Sequence, residues 1–250
     1  MAKIKMSLTD IIKRLDDTYS ASDDPLLLHN RAAIHIISGR KGSGKSTLLL
    51  SLLNSKKAWK RRFNAIFMVS PTANGEAKFE RLVSELSDDG RFYDMLNEQV
   101  MEEIFDKVRG FNEDFKESKK RKKPRFLLIL DDCVLDISKK KDSVLNKMTT
   151  ICRHLNLTCA VLTQKYNAVN TLLRANADTV CQFGSLNARE ITCLQDDINV
   201  DKDVMNRLYL QATQKPNGFL WINLIQNPPV FYDRFDKIDV PEFTEGRLHA

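Results

Sequence analysis

Ala33-Ile34-His35-Ile36-Ile37-Ser38-Gly39-Arg40-Lys41-Gly42-Ser43-Gly44-Lys45-Ser46-Thr47 is the stretch on which the fold turns. Ala33 to Ile37 is a short apolar run of strand type. Gly39 to Ser46 follows at once and matches the phosphate-loop pattern at every fixed position. Thr47 and the leucine-rich segment Leu48 to Leu53 then read as a buried helix. The glycines at 39, 42 and 44 let backbone N–H groups turn inward around phosphate, with Arg40, Lys41, Ser43 and Thr47 completing the cradle. Lys45 reaches the β- and γ-phosphates, the Ser46 hydroxyl ligates magnesium, and the helix amino terminus adds partial positive charge. A glycine-rich loop alone is a weak signal. The strand before it and the helix after it make it specific, and a plain flexible turn leaves Lys45 and Ser46 unexplained.

Outward from this unit, apolar strand runs alternate with helical stripes. Strand readings fall on Phe63 to Val69, Phe126 to Leu130, Thr158 to Leu162, Thr179 to Phe183 and Gly218 to Leu224. Helical spacing is read over Glu76 to Leu86, over Phe92 to Val108, and through Val144, Met148, Ile151, Cys152 and Leu155. Continuous apolar strands separated by helices predict an α/β fold, a P-loop NTPase with a mainly parallel central sheet flanked by helices on both faces. Residues 1–30, with helical spacing at Leu8, Ile11, Ile12 and Leu15, read as an amino-terminal arm, and residues 31–250 as one domain.

The second half of a nucleotide site follows the third strand run, which ends in Asp131-Asp132. In an open parallel sheet, ligands sit beyond the carboxyl ends of the strands. Both the phosphate loop and the acidic pair are delivered to that edge. Asp131 is assigned to the magnesium shell and Asp132 to the attacking water, as orienter or proton acceptor. The fourth run ends in Thr163-Gln164 at the same edge, where Gln164 is placed to sense the γ-phosphate or the water.

Two arginines are candidates for a charge-stabilising role. Arg153 precedes the fourth strand, on the amino edge, and is either structural or offered to a neighbouring subunit. Arg174 lies in the helix after Gln164, near its own site or a subunit boundary. An arginine supplied in trans is worth roughly 10³–10⁵ in rate. His29, His35, His154 and His249 have no metal-ligand spacing, and His35 reads as packed within its strand.

Charge and composition set outer bounds. The 250 residues suffice for one large α/β domain, with 42% hydrophobic and 29% charged residues. No apolar run approaches the ~20 residues of a membrane helix, and the start of the chain lacks the apolar centre of a signal peptide. Five scattered cysteines read as reduced residues of an intracellular protein. The net charge of +6 includes basic runs at Lys56 to Arg62, Lys119 to Lys123 and Lys139 to Lys141. The first two precede strands and so should emerge on the amino edge, opposite the nucleotide. Without a base-reading motif, they suit backbone contact with nucleic acid, independent of sequence.

The phosphate loop, Leu130-Asp131-Asp132, and Arg153-His154-Leu155-Asn156-Leu157-Thr158 leading to Leu162-Thr163-Gln164 together resemble the poxvirus-type genome-packaging ATPases of large DNA viruses and virophages, within the FtsK–HerA class of DNA-pumping motors. The resemblance runs from about Ile34 to Phe235 and extends to Phe219-Leu220-Trp221-Ile222 and Phe231-Tyr232-Asp233-Arg234-Phe235. It implies an ATP- and Mg2+-dependent motor that moves double-stranded DNA into a preformed capsid. It implies a homo-oligomeric ring, commonly a hexamer in the class, with capsid or vertex proteins as partners, located in the virion or the host-cell cytoplasm. Lys45, Ser46, Asp131 and Gln164 carry over with the roles given above, and Arg153 matches the position that serves the adjacent subunit. Cellular members of the class usually end this strand in Asp-Glu, and the shorter Asp132 reaches about one methylene less far.

Rival readings fare less well. A small-molecule kinase needs an arginine-rich lid and an acceptor pocket, and neither pattern is present. A GTPase needs an Asp where Tyr166 stands. A scaffold that binds ATP without turnover, or another DNA-translocating or helicase-like ATPase, shares the same residues and differs in what it does with them.

Overall fold

The computed structural model of the chain describes residues 31–117, 123–133, 149, 152–184 and 187–241. The amino-terminal arm, Lys139 to Lys141, most of Lys119 to Lys123, and the stripe members Val144, Met148 and Ile151 lie outside the described residues.

The first apolar run forms β1 (Ile34–Ser38), fully buried. The others form β2 (Ala65–Val69), β4 (Phe126–Asp131), β5 (Leu157–Thr163), β6 (Thr179–Phe183) and β7 (Phe219–Asn223). Three short strands complete the set: β3 (Phe92–Tyr93), β8 (Val230–Asp233) and β9 (Asp236–Ile238). Among the described residues they make one nine-stranded sheet in the order β3-β2-β4-β5-β1-β6-β7-β8-β9. The pairs from β3 through β6 are parallel, and β6–β7, β7–β8 and β8–β9 are antiparallel.

The strands read as unbroken apolar runs because both faces of the sheet are covered. Along β4, Phe126, Leu128 and Leu130 enter one core, while Leu127 and Ile129 enter the other. This is the period of two that strand geometry imposes, with apolar partners on each side. One core includes α1 (Lys45–Asn54) and α2 (Glu80–Asp88), through Leu48, Leu49, Leu52, Val83 and Leu86. The opposite core includes α3 (Glu98–Glu117), α4 (Thr171–Ala175), α5 (Ala188–Ile198) and α6 (Lys202–Thr213). The chain is therefore α/β, with a mainly parallel sheet and helices on both faces.

Several local readings change. Phe92 and Tyr93 open a strand rather than a helix. The carbonyls of Arg91 and Tyr93 accept from the Met68 and Ser70 N–H groups, satisfying the outer side of β2. The helix begins only at Glu98, where Asn97 Oδ1 caps the Val100 N–H at 2.8 Å. The last predicted strand is present but antiparallel, and it continues into the unpredicted β8–β9 hairpin. α5 and α6, with no assignment from sequence spacing, start on side-chain caps from Asn187 and Asp201.

Candidate nucleotide site

At the carboxyl end of β1 the chain turns into the phosphate loop, and α1 starts at Lys45. Gly42 and Gly44 adopt φ of 79° and 110°, a region where side chains are strained. Gly39 is excluded from change for another reason. A Cβ there would stand 2.6 Å from Phe183 Cβ and 2.7 Å from Ser43 Oγ. Ser43 N–H closes the loop onto the Arg40 carbonyl at 3.1 Å, and Gly39 N–H ties it to the Thr163 carbonyl of β5 at 3.1 Å. Lys45 folds back so that its Nζ donates to the Gly39 carbonyl at 2.7 Å. Burial pulls the Lys45 ammonium below its usual range, while Asp132 and Asp131 draw it back up.

The acids arrive from β4, next to β5 in the sheet. Asp131 is buried, and its Oδ2 accepts from Ser70 Oγ at 3.0 Å. Burial raises its carboxyl to about 6; the Ser70 bond opposes that shift, and the negative charge of Asp132 adds to it. Asp132 takes φ of 50°, which turns its side chain out of the strand. There Gln164 Nε2 donates to Asp132 Oδ2 at 3.0 Å. Strand ends β1, β4 and β5 thus bring Lys45, Asp131, Asp132 and Gln164 to one edge.

A magnesium nucleotide fits these donors on two observations. Ser43 Oγ is buried in the loop without a protein partner, and Asp131 is a buried carboxylate beside a buried ammonium. Ser46 and Asp131 have the oxygen chemistry that magnesium takes, and Ser46 and Thr47 stand half-buried at the α1 amino terminus.

Ser70, Glu76 and Lys78 belong to this neighbourhood and were missed in the sequence. Glu76 and Lys78 both act electrostatically on Lys45. Ser70-Pro71-Thr72 reads only as a strand terminator, yet the parallel pairing of β2 with β4 sets Val69 opposite Leu130 and so brings Ser70 beside Asp131. The adjacency of the two strands is the signal that spacing alone does not carry.

Neither arginine joins the cluster. Arg153 Nη2 donates to Asp178 Oδ1 at 2.8 Å, on the amino side of β6, and Arg31 Nη2 shares that oxygen at 3.1 Å. Asp178 Oδ2 also accepts from the Ile34 N–H, so the brace holds the start of β1. With β1 spanning about 15 Å between this brace and the loop, Arg153 does not reach the phosphates of its own chain. Arg174 is locked by Asp197 Oδ2 at 2.6 Å and the Val169 carbonyl at 3.1 Å. His35 packs between Trp59 and Trp221, and burial lowers its ring to about 3. Lys56, Lys60, Arg61 and Arg62, beyond the carboxyl end of α1, line a concavity of about 410 Å³.

Solved structures share this architecture. The genome packaging NTPase B204 from Sulfolobus turreted icosahedral virus 2, in complex with sulfate, is similar at a TM-score of 0.58 and 17% identity, over 84% of this chain and 97% of that one. The same protein in complex with AMP gives a TM-score of 0.54 and 18% identity, over 88% of this chain and 100% of that one. B204, the DNA-packaging ATPase from Sulfolobus turreted icosahedral virus, gives a TM-score of 0.56 and 17% identity, over 81% and 98%. No curated protein matches. The family model described as Poxvirus A32 protein matches residues 26–227, a span that takes in the phosphate loop, the acidic pair and Gln164, and the chain belongs to that family.

Proposed function

We propose that the chain is the ATPase motor of viral genome packaging, hydrolysing ATP with Mg2+ and coupling turnover to the movement of double-stranded DNA into a capsid. The observation that carries this reading is the convergence of Lys45, Asp131, Asp132 and Gln164 on one sheet edge. Family membership and the likeness to packaging NTPases support it.

The reaction follows from the donors. Lys45 exchanges the Gly39 carbonyl for β- and γ-phosphate oxygens. Ser46 and Asp131 would hold magnesium, which would supply positive charge against the negative charge developing on the phosphates. Asp132 orients water in line with the γ-phosphorus and accepts its proton. The new P–O bond forms from water as the bond to the β–γ bridging oxygen breaks, leaving ADP and phosphate. The Gln164 to Asp132 hydrogen bond links that water to the segment after β5, so hydrolysis is felt outside the site.

DNA is engaged through its phosphates, without sequence preference, and the cationic concavity of Lys56, Lys60, Arg61 and Arg62 is one surface suited to it. The working form is a homo-oligomeric ring on a capsid vertex, where Arg153 serves the adjacent subunit. The decisive experiment is the steady-state ATPase rate with and without long double-stranded DNA, with Lys45→Ala as the blank. Several-fold stimulation that fades with added salt is expected. Nucleotide binding without turnover, with DNA present, overturns the motor.

A further inference from the structure

Tyr166, Arg174, Glu190 and Asp197 form a polar cluster that takes no part in the nucleotide chemistry, and together they hold the segment that follows Gln164. Gln164 is itself exposed and stands one place beyond the end of β5, so no strand or helix of its own fixes its amide. The residue before it is fixed. Thr163 lies opposite Ser38 in the sheet, and its carbonyl accepts from the Gly39 N–H at 3.1 Å.

The segment after it is a single 3-10 turn, Tyr166–Ala168, pinned to α5 at two points. The Tyr166 ring is fully buried, and its hydroxyl donates to Asp197 Oδ2 at 2.9 Å, near the carboxyl end of α5. One residue on, the Asn167 N–H donates to Glu190 Oε2 at 3.1 Å, in the first turn of the same helix. Glu190 is buried as well. Arg174 of α4 closes the arrangement. It donates to the same Asp197 oxygen at 2.6 Å and to the Val169 carbonyl at 3.1 Å, and its guanidinium lies 5.5 Å from the centre of the Tyr166 ring. Hydrogen bonds to an ionised group are about twice as strong as neutral ones. A hydroxyl and a guanidinium that converge on one carboxylate oxygen therefore leave Tyr166 little freedom.

We infer that Tyr166, held by Asp197 and Arg174, is a positioning residue for hydrolysis, because it sets how Gln164 reaches Asp132. Two residues of chain span at most about 7 Å. The Gln164 backbone thus runs between two fixed points, Thr163 and Tyr166, and from there its Nε2 donates to Asp132 Oδ2 at 3.0 Å. Arg174 acts on the same amide at one remove, through Asp197 and Tyr166, instead of stabilising charge on the phosphates. This positioning role rests on the ATPase reading.

The test is a double-mutant cycle. Single-turnover hydrolysis by the full chain, with magnesium and long double-stranded DNA, gives the rate at saturating ATP and the half-saturating ATP concentration, and it still reads slow variants. It is measured for the wild type, Tyr166→Phe, Asp197→Asn, Gln164→Ala, and the two doubles that add Gln164→Ala. Tyr166→Phe removes one hydroxyl and keeps the buried ring, so it moves the turn without emptying the core, and thermal unfolding tracks the folding of every variant. Small misplacements around a reacting centre cost up to about a hundredfold in rate, and a slowing of roughly tenfold is expected for Tyr166→Phe and Asp197→Asn. Half-saturating ATP should stay unchanged in both. On the Gln164→Ala background neither substitution should cost anything further, whereas a brace that only supported the fold would act on both backgrounds alike. A full rate in Tyr166→Phe, a full rate in Gln164→Ala, or slowing that multiplies on the Gln164→Ala background overturns the positioning role and leaves the ATPase reading standing. A wild type that turns over no ATP overturns the ATPase reading, and the positioning role falls with it.

Discussion

Asp131 shows how a residue is made useful at the cost of stability. Its carboxyl is buried beside Asp132 and held by one hydroxyl, and burial raises it to about 6. An acid whose folded value is raised stabilises the fold most below its unfolded value near 3.8, and that contribution falls as pH rises toward 6. At pH 7 the metal-free chain therefore carries a penalty of about 2–3 kcal/mol from this one charge. Asp131→Asn is expected to raise the thermal midpoint of the nucleotide-free chain at pH 7–8, with the gain vanishing near pH 4, and to lose turnover. Thermal unfolding across that range checks it; a gain that does not shrink with acid removes the electrostatic cause. Asp132 stands differently, out of the strand and facing Gln164. Asp132→Asn should keep ATP binding and lose turnover, and an unchanged rate would move the water-orienting role elsewhere.

Elements decide where such residues stand. The phosphate loop works because β1 and α1 fix both its ends, and because Phe183 of β6 leaves room there only for Gly39. The turn between α6 and β7 is equally constrained, since Gly218 sits against the Ala212 and Lys215 carbonyls. Gly218→Ala must push the helix end or the strand aside, and a destabilisation of about 1–3 kcal/mol is expected from such overpacking. Denaturant unfolding measures it, and a loss below about 0.5 kcal/mol would mean that the turn yields easily. The short β3 makes the same point from the other side. Phe92 has helical company in the sequence, but the unsatisfied edge of β2 claims it.

At the scale of the whole molecule, the length of the strands separates two clusters. Lys45, Asp131, Asp132 and Gln164 stand at the carboxyl edge, while Arg31, Arg153 and Asp178 occupy the amino edge. Arg153 is 63% exposed despite its ion pair, so it remains accessible to another subunit. Arg153→Ala subunits are predicted to be inactive alone and to recover turnover when mixed with Lys45→Ala subunits, because each would supply what the other lacks. If mixed rings form and remain inactive, Arg153 serves only to brace β1 and β6.

How much was legible follows from how local each feature is. The phosphate loop, Asp131-Asp132 and Gln164 could be read in order, because each is a strand end with a chemical signature within a few residues. The α/β class was legible because strands buried on both faces must be continuously apolar, as β4 and β5 are. The partners of Asp131 and Lys45 were not. Ser70 approaches Asp131 only because β2 pairs with β4 across 61 positions of sequence, and Arg174 of α4 reaches Asp197 of α5 across 23 positions. The antiparallel β7–β9 edge arises in the same way. The sequence by itself determined the phosphate-binding unit, the acidic strand end and the layered class, all consequences of short-range spacing. Only the tertiary structure decided which strands are neighbours, and with that which side of the phosphate loop faces Asp131, Asp132 and Gln164.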